Sequence, residues 1–184
     1  MHRKPLLDLI GQYAARYPDE RDVVGRFIRF IEAAPGCFER SSEAGHVTGS
    51  AFILSPDGTS ILLALHAKLN KWVQLGGHAD GDPRIEEVAL REALEESGLD
   101  GLSFLQQIPL DLDIHEIPPH KTIKGHLHYD VRFLLQSKTS RFLCSNESLA
   151  LEWVSLEQVE KLSPESGIAR AVQKIKRFTC LKLS

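Results

Sequence analysis

Three glutamates, Glu92, Glu95 and Glu96, stand at i, i+3 and i+4 within LGGHADGDPRIEEVALREALEESGL (75–99), so a helix there places them on one side. Carboxylates grouped in this way suit a hard divalent cation such as Mg²⁺ close to a phosphate-bearing substrate. Just ahead of them, Gly76 and Gly77 allow the backbone to come close to a phosphate or a cation-held oxygen. The plainer reading is a solvated acidic face with Arg84 and Arg91 as helix partners. The register favours the cation: at about 100° per residue, Glu92 and Glu96 fall in the arc of Ile85, Val88, Ala89 and Ala93. Carboxylates in an apolar arc repel one another and lose hydration unless a cation joins them.

The element that must position them is a helix with recognisable ends. Asp82 is expected as its N-cap and Pro83 as its first residue. Gly98 is expected to end it in a left-handed conformation, with Leu99 folding back on the last turn. Leu90 and Leu94 mark a second apolar side, which predicts a helix sandwiched between other elements.

These residues also carry a family resemblance. Arg91-Glu92-Ala93-Leu94-Glu95-Glu96-Ser97-Gly98-Leu99 resembles the second half of the Nudix box, R-E-U-x-E-E-x-G-U, at every fixed position. The first half, G-x5-E-x7, departs from the pattern. With Gly77 in place, Pro83 stands where the family has Glu. Asp82, one residue earlier, is the candidate substitute for a glutamate that in the family supports the helix and its arginine. Leu75 stands where a proline often precedes the Gly-Gly pair. The resemblance spans about Val47 to Val159 and implies an α/β fold, an α/β/α sandwich on a mixed β-sheet. It implies a metal-dependent pyrophosphohydrolase that cleaves a diphosphate linkage in a nucleoside diphosphate joined to another moiety. Glu92, Glu95 and Glu96 would be the metal set, for Mg²⁺ or alternatively Mn²⁺. Glu92 would also be a candidate base, and Arg91 would orient a carboxylate. Gly76, Gly77, His78, Lys121, His126 and His128 are the expected substrate-binding residues.

Two other functions are compatible with such a fold. One is a non-catalytic ligand-sensing domain, but those usually have eroded box carboxylates, and here all three stand. The other is isopentenyl-diphosphate isomerase, which needs a cysteine with its metal and glutamate; none lies near the Gly-Gly turn or the helix.

Residues 5–16 and 19–33 read as two amphipathic helices separated at Pro18, with Pro35-Gly36 ending the pair. They form an N-terminal helical extension (1–40), expected to pack on the core or serve dimerisation, ahead of a Nudix domain over 41–184. VTGSAFIL and SILLALHA, joined at Pro56-Asp57-Gly58, predict a hairpin, and LNKWVQL a third strand leading to Gly76. FLQQIPLDLDIHEI and HLHYDVRFLLQ predict two long paired strands. Their link, PPHKTIKG, is polar, and its Lys121 and Lys124 either hold an outer phosphate or are solvated loop charges. Glu152-Trp153-Val154 reads as a short strand and 164–178 as a final helix. Trp72 is either buried or stacked on a base, and Glu147 is a candidate extra metal ligand.

His126, His128 and Asp130 alternate, so they face one side of a strand. His78, His115 and His120 could converge on them. A second metal site, substrate hydrogen bonding and structural hydrogen bonding are all open readings for this group.

The 184 residues, 42% hydrophobic, are enough for one domain with its own core. A net charge of −3 gives no general attraction to a nucleic-acid polymer or an anionic membrane. An anionic substrate would therefore need local help from a metal and basic side chains, and the partner that the resemblance implies is a small-molecule diphosphate. Cys37, Cys144 and Cys180 form no CxxC pair, which suits a reducing cytoplasm. MHRKPLLDLIGQYAARYP has too short an apolar run for a signal peptide or membrane span, so a soluble protein is expected.

Overall fold

Residue alternation on one central strand organises the molecule. Every residue of that strand, Gly45–Leu54, is buried. Val47, Gly49, Ala51 and Ile53 face one side; His46, Thr48, Ser50, Phe52 and Leu54 face the other. The structure, a computed structural model, describes residues 2–67, 70–119, 124–143, 148–162 and 166–182. Its helices α1 (Lys4–Arg16) and α2 (Arg21–Ala33) precede strands β1 (Gly45–Leu54), β2 (Ser60–His66), β3 (Lys71–Val73) and β4 (Leu75–His78). Helix α3 (Ile85–Ser97) is followed by β5 (Ser103–Phe104), β6 (Asp111–Ile117), β7 (His126–Gln136) and β8 (Ser148–Ser155), then α4 (Val159–Leu162) and α5 (Ser166–Lys182).

The eight strands form one mixed sheet. β1 pairs in parallel with β7 from Gly45↔Leu127 to Leu54↔Gln136. Its other edge is shared, antiparallel, between β4 and β2. β6 pairs with β7 in antiparallel register, His115 opposite His128.

Helices cover both faces. Leu6, Ile10, Phe27, Phe30 and Ile31 of α1 and α2 join Ile85, Val88 and Ala89 of α3 over Val47, Tyr129, Val131 and Phe133. On the opposite face Ile168, Ala171, Val172 and Ile175 of α5 cover Phe52, Leu54 and Leu134. Gly49 sets the distance between α3 and β1. A β-carbon there would lie 2.8 Å from the Ile85 carbonyl oxygen and 3.1 Å from the Ala89 nitrogen.

Across the edge strand β6 the two helix layers are tied by buried ions. Lys174 of α5 donates to Asp111 (2.7 Å) and to the Tyr13 hydroxyl (2.7 Å), and pairs with Glu20 (2.6 Å). Arg170 grips Asp111 at 2.9 and 2.8 Å and Asp113 at 2.9 Å, while Arg132 reaches Asp113 and Asp130. Burial alone would raise the Asp113 carboxyl. A hydrogen bond from His115 and the charges of Arg132 and Arg170 outweigh it and hold that group well below the usual carboxylate range.

Several boundaries differ from the sequence reading. The strand expected over LNKWVQL is two: β3 pairs with β2 and β4 with β1, and Gln74 between them donates to Asp130. The strand expected from Phe104 to Ile117 breaks over 105–110, where Pro109 lacks an N–H for a ladder, leaving β5 and β6. Helix α3 starts at Ile85 with Arg84 as N-cap, not at Pro83 with Asp82. Asp82 instead accepts a hydrogen bond from the Arg84 N–H at 3.0 Å, a turn ahead of the helix. Leu94 is exposed, so only Leu90 of the second apolar side is packed. Among the described residues no helix is long and apolar enough to cross a membrane.

Candidate active site

Glu92 leaves the buried side of α3 directly beneath Gly77 of β4. A β-carbon at Gly77 would meet Glu92 Oε1 at 2.9 Å, and its Cδ and Oε2 closer still. The carboxylate thus fills the space that any other residue at 77 would need. The preceding glycine is as constrained: Gly76 has φ +156°, and a β-carbon there would lie 2.7 Å from the Gly49 carbonyl oxygen. Gly98 ends the helix at φ 60°, in the left-handed region, and its N–H bonds the Leu94 carbonyl oxygen. Leu99 is buried behind it.

Arg91 holds this carboxylate. Its Nη1 donates to Glu92 Oε1 at 2.6 Å and lies 3.5 Å from Glu95, and its Nη2 reaches the His78 carbonyl oxygen at 3.4 Å. One guanidinium therefore links the helix to the strand that carries Gly76 and Gly77. Asp82, expected to support that arginine, pairs with Arg84 instead.

The three glutamates do not sit alike. The Glu92 side chain is 15% exposed and Glu96 half-buried, whereas Glu95 is 62% exposed at the rim of the arc. Their oxygens are not among the groups that gather within 4.8 Å, as expected of like charges with Arg91 drawing on two of them. The donor set is all carboxylate oxygen, which is the chemistry that fits a hard divalent ion.

A second cluster lies on the other face of the same strands. His46 stands opposite His128 in the β1–β7 register, and His78 is opposite Thr48, two residues along β1. The ring centroids lie 4.7 Å apart for His46–His128, 5.0 Å for His46–His78 and 5.1 Å for His78–His128. His126 and His115 flank the group, at 5.2 and 5.4 Å from His128. Burial, then the neighbouring imidazoles, lowers His46 to about 4 and His128 to about 2. Burial and then Arg40 lower His78 to about 4. Asp130 is co-facial but does not join them. It accepts hydrogen bonds from Thr48, Ser50, Gln74 and Arg132, so its part is structural.

His46 escaped the sequence reading. Its alternation with Thr48 and Ser50 was visible, but its approach to His128 depends on a parallel pairing across 82 residues of chain. Lys124 is exposed and pairs with Glu43 at 3.2 Å. Lys121, His120 and Glu147 lie outside the described residues. Trp72 is half-buried against the α5-side core.

The family model of the NUDIX domain matches residues 45–175, the whole sheet and most of α5. The chain belongs to the Nudix family. With the second half of the box intact it is a Nudix hydrolase, an enzyme acting on pyrophosphate bonds. The match runs beyond the Val47–Val159 span legible from the residues. No curated protein matches the chain. Among solved structures, a NUDIX-family hydrolase from Clostridium perfringens shares 24% identity over 72% of this chain and 97% of its own, with a TM-score of 0.57. A C. elegans Ap4A hydrolase is 17% identical over 73% and 97% of the two chains, at a TM-score of 0.56. The E. coli dihydroneopterin triphosphate pyrophosphohydrolase is 20% identical over 72% and 93%, at 0.54. At these identities the likeness is one of fold: an α/β/α Nudix arrangement with two helices added before it.

Proposed function

We propose that this Nudix hydrolase is a Mg²⁺-dependent pyrophosphohydrolase whose substrate is a nucleoside diphosphate linked to another moiety. The observation that carries the reading is Glu92, fixed between Arg91 and the glycine backbone at the edge of the sheet. Glu92, Glu95 and Glu96 would hold the ion. When bound, it neutralises the charge of a diphosphate bridge and lowers the pKa of water. Glu92 is the candidate proton acceptor, with Arg91 as the positioning residue that fixes its direction. Gly77, with no side chain, lets the Glu92 carboxylate lie against the strand backbone, where the ion and the bridge would meet it.

The names of two solved relatives, an Ap4A hydrolase and a dihydroneopterin triphosphate pyrophosphohydrolase, pair this fold with phosphoanhydride substrates carrying different organic groups. An isomerase-type cysteine is not supplied by Cys37. It is fully buried beneath α1 and α2, where burial pushes its thiol up to about 11. Cys180 is exposed on α5.

The test is a panel of nucleotide sugars, dinucleoside polyphosphates, nucleotide cofactors and nucleoside triphosphates, each with Mg²⁺ or Mn²⁺, with products identified. Hydrolysis of a diphosphate bridge, absent without the ion, is expected. Ligand binding without turnover across the panel would favour a sensing domain.

A further inference from the structure

We propose that His46, His78 and His128 form a binding site for a transition-metal ion of the Zn²⁺ class, distinct from the carboxylate site on α3. Their ligand nitrogens lie within 4.8 Å of one another, one from each of β1, β4 and β7. His46 is 2% exposed, and neither of its ring nitrogens has a hydrogen-bond partner among the described residues. His128 Nε2 is likewise buried and unpartnered. Buried polar groups are almost always paired, since leaving one unpaired forfeits its hydration without return. Two imidazoles in this condition, turned toward each other and toward a third, are accounted for by a shared ion.

The donor chemistry selects the kind of ion. Imidazole nitrogen suits Zn²⁺, Co²⁺, Ni²⁺ or Cu²⁺, whereas Mg²⁺ requires oxygen. The ligating form is the neutral imidazole, through a ring-nitrogen lone pair, and nitrogens without a hydrogen-bond partner are placed to supply it. Two histidines flank the group: His115 Nδ1 lies 3.1 Å from Asp113 and His126 Nδ1 2.9 Å from the Lys124 carbonyl oxygen, contacts that in a neutral ring would leave the lone pair on Nε2. The nearby charges Arg40 and Asp80 pair with each other at 2.5 and 2.7 Å and leave the site near neutrality. Zn–N bonds of about 2.0–2.1 Å in a tetrahedron require nitrogens about 3.4 Å apart, so the rings draw together on binding.

The ion would tie β4 to β1 and β7 at the residue after Gly77, on the side of the sheet away from Glu92. The proposal does not depend on the hydrolase reading, and its test separates the two. Untagged full-length protein is stripped with a chelator and titrated with Zn²⁺ alone against a chromophoric competitor, and with Co²⁺ followed by visible absorption. Expected are one ion per chain, an intense tetrahedral Co²⁺ spectrum and a raised Tm, all retained in Glu92→Gln and Glu96→Gln. His78→Gln and His46→Ala should each weaken binding by at least about a hundredfold. His78 is half-exposed, so its variant decides the matter should the buried His46 variant fail to fold. Wild-type affinity in His78→Gln, absence of Zn²⁺ binding by the wild type, or loss of the ion in the glutamate variants alone would overturn the proposal. The last outcome would leave the hydrolase reading intact.

Discussion

The carboxylate of Glu92 and the missing side chain of Gly77 occupy the same space. A β-carbon at 77 would meet the end of the Glu92 side chain, not its backbone. Gly77→Ala is therefore expected to be absorbed by rotation of that carboxylate. Its stability should change by less than about 1 kcal/mol, while turnover falls at least about tenfold. Gly49→Ala provides the contrast, because its β-carbon would press on the backbone of Ile85 and Ala89. The helix must move, at a cost of about 1–3 kcal/mol. Thermal melts and turnover of both variants check this. A Gly77→Ala enzyme with full activity would show that the position of Glu92 does not matter.

Asp82 accepts from the Arg84 N–H and pairs with its guanidinium, one step before the helix begins. Asp82→Ala should lower stability by about 0.5–1 kcal/mol, as for the loss of a helix-start hydrogen bond, and leave the Arg91–Glu92 pair in place. Denaturant unfolding measures the first and turnover the second. A large fall in turnover would mean that Asp82 does support the box arginine.

What could be read from the residues was whatever local spacing encodes. The α3 register, its glycine stop, and the alternation of β1 and β7 follow from periods of 3.6 and 2. The start of α3 was misplaced because Asp82-Pro83 is a good cap signal, yet here it forms a turn that hands the cap to Arg84. Long-range pairing was not legible. His46 meets His128 only through the parallel β1–β7 register, and Asp111 meets Lys174 only when α5 crosses β6. In sequence, Asp111, Asp113 and Arg132 are alternating polar positions, indistinguishable from a solvated strand face. In the fold they are the buried ties between helix layers.

Asp113 gives those ties a pH signature. Its carboxyl lies below the ordinary value of 3.8 in the folded chain, chiefly because the His115, Arg132 and Arg170 interactions outweigh burial. A depressed folded value means that its stabilisation is complete above pH 3.8 and is lost as pH falls below it. Asp113→Asn should cost about 3 kcal/mol near pH 7, and the gap from wild type should persist in mild acid. It should close only in stronger acid. Urea midpoints measured across pH would show it, and equal stabilities at neutral pH would mean that Asp113 does not tie the helix layers.

The α3 carboxylates are proposed to carry the hydrolysis of a diphosphate bridge. The most direct measurement is turnover of a diphosphate-linked nucleotide cleaved by the wild type, compared with Glu92→Gln and Glu96→Gln at saturating Mg²⁺, with a melt of each variant. Both substitutions keep shape and remove charge, so the predicted result is folded protein with turnover lowered at least about a hundredfold. Folded variants that turn over substrate at the wild-type rate would contradict it.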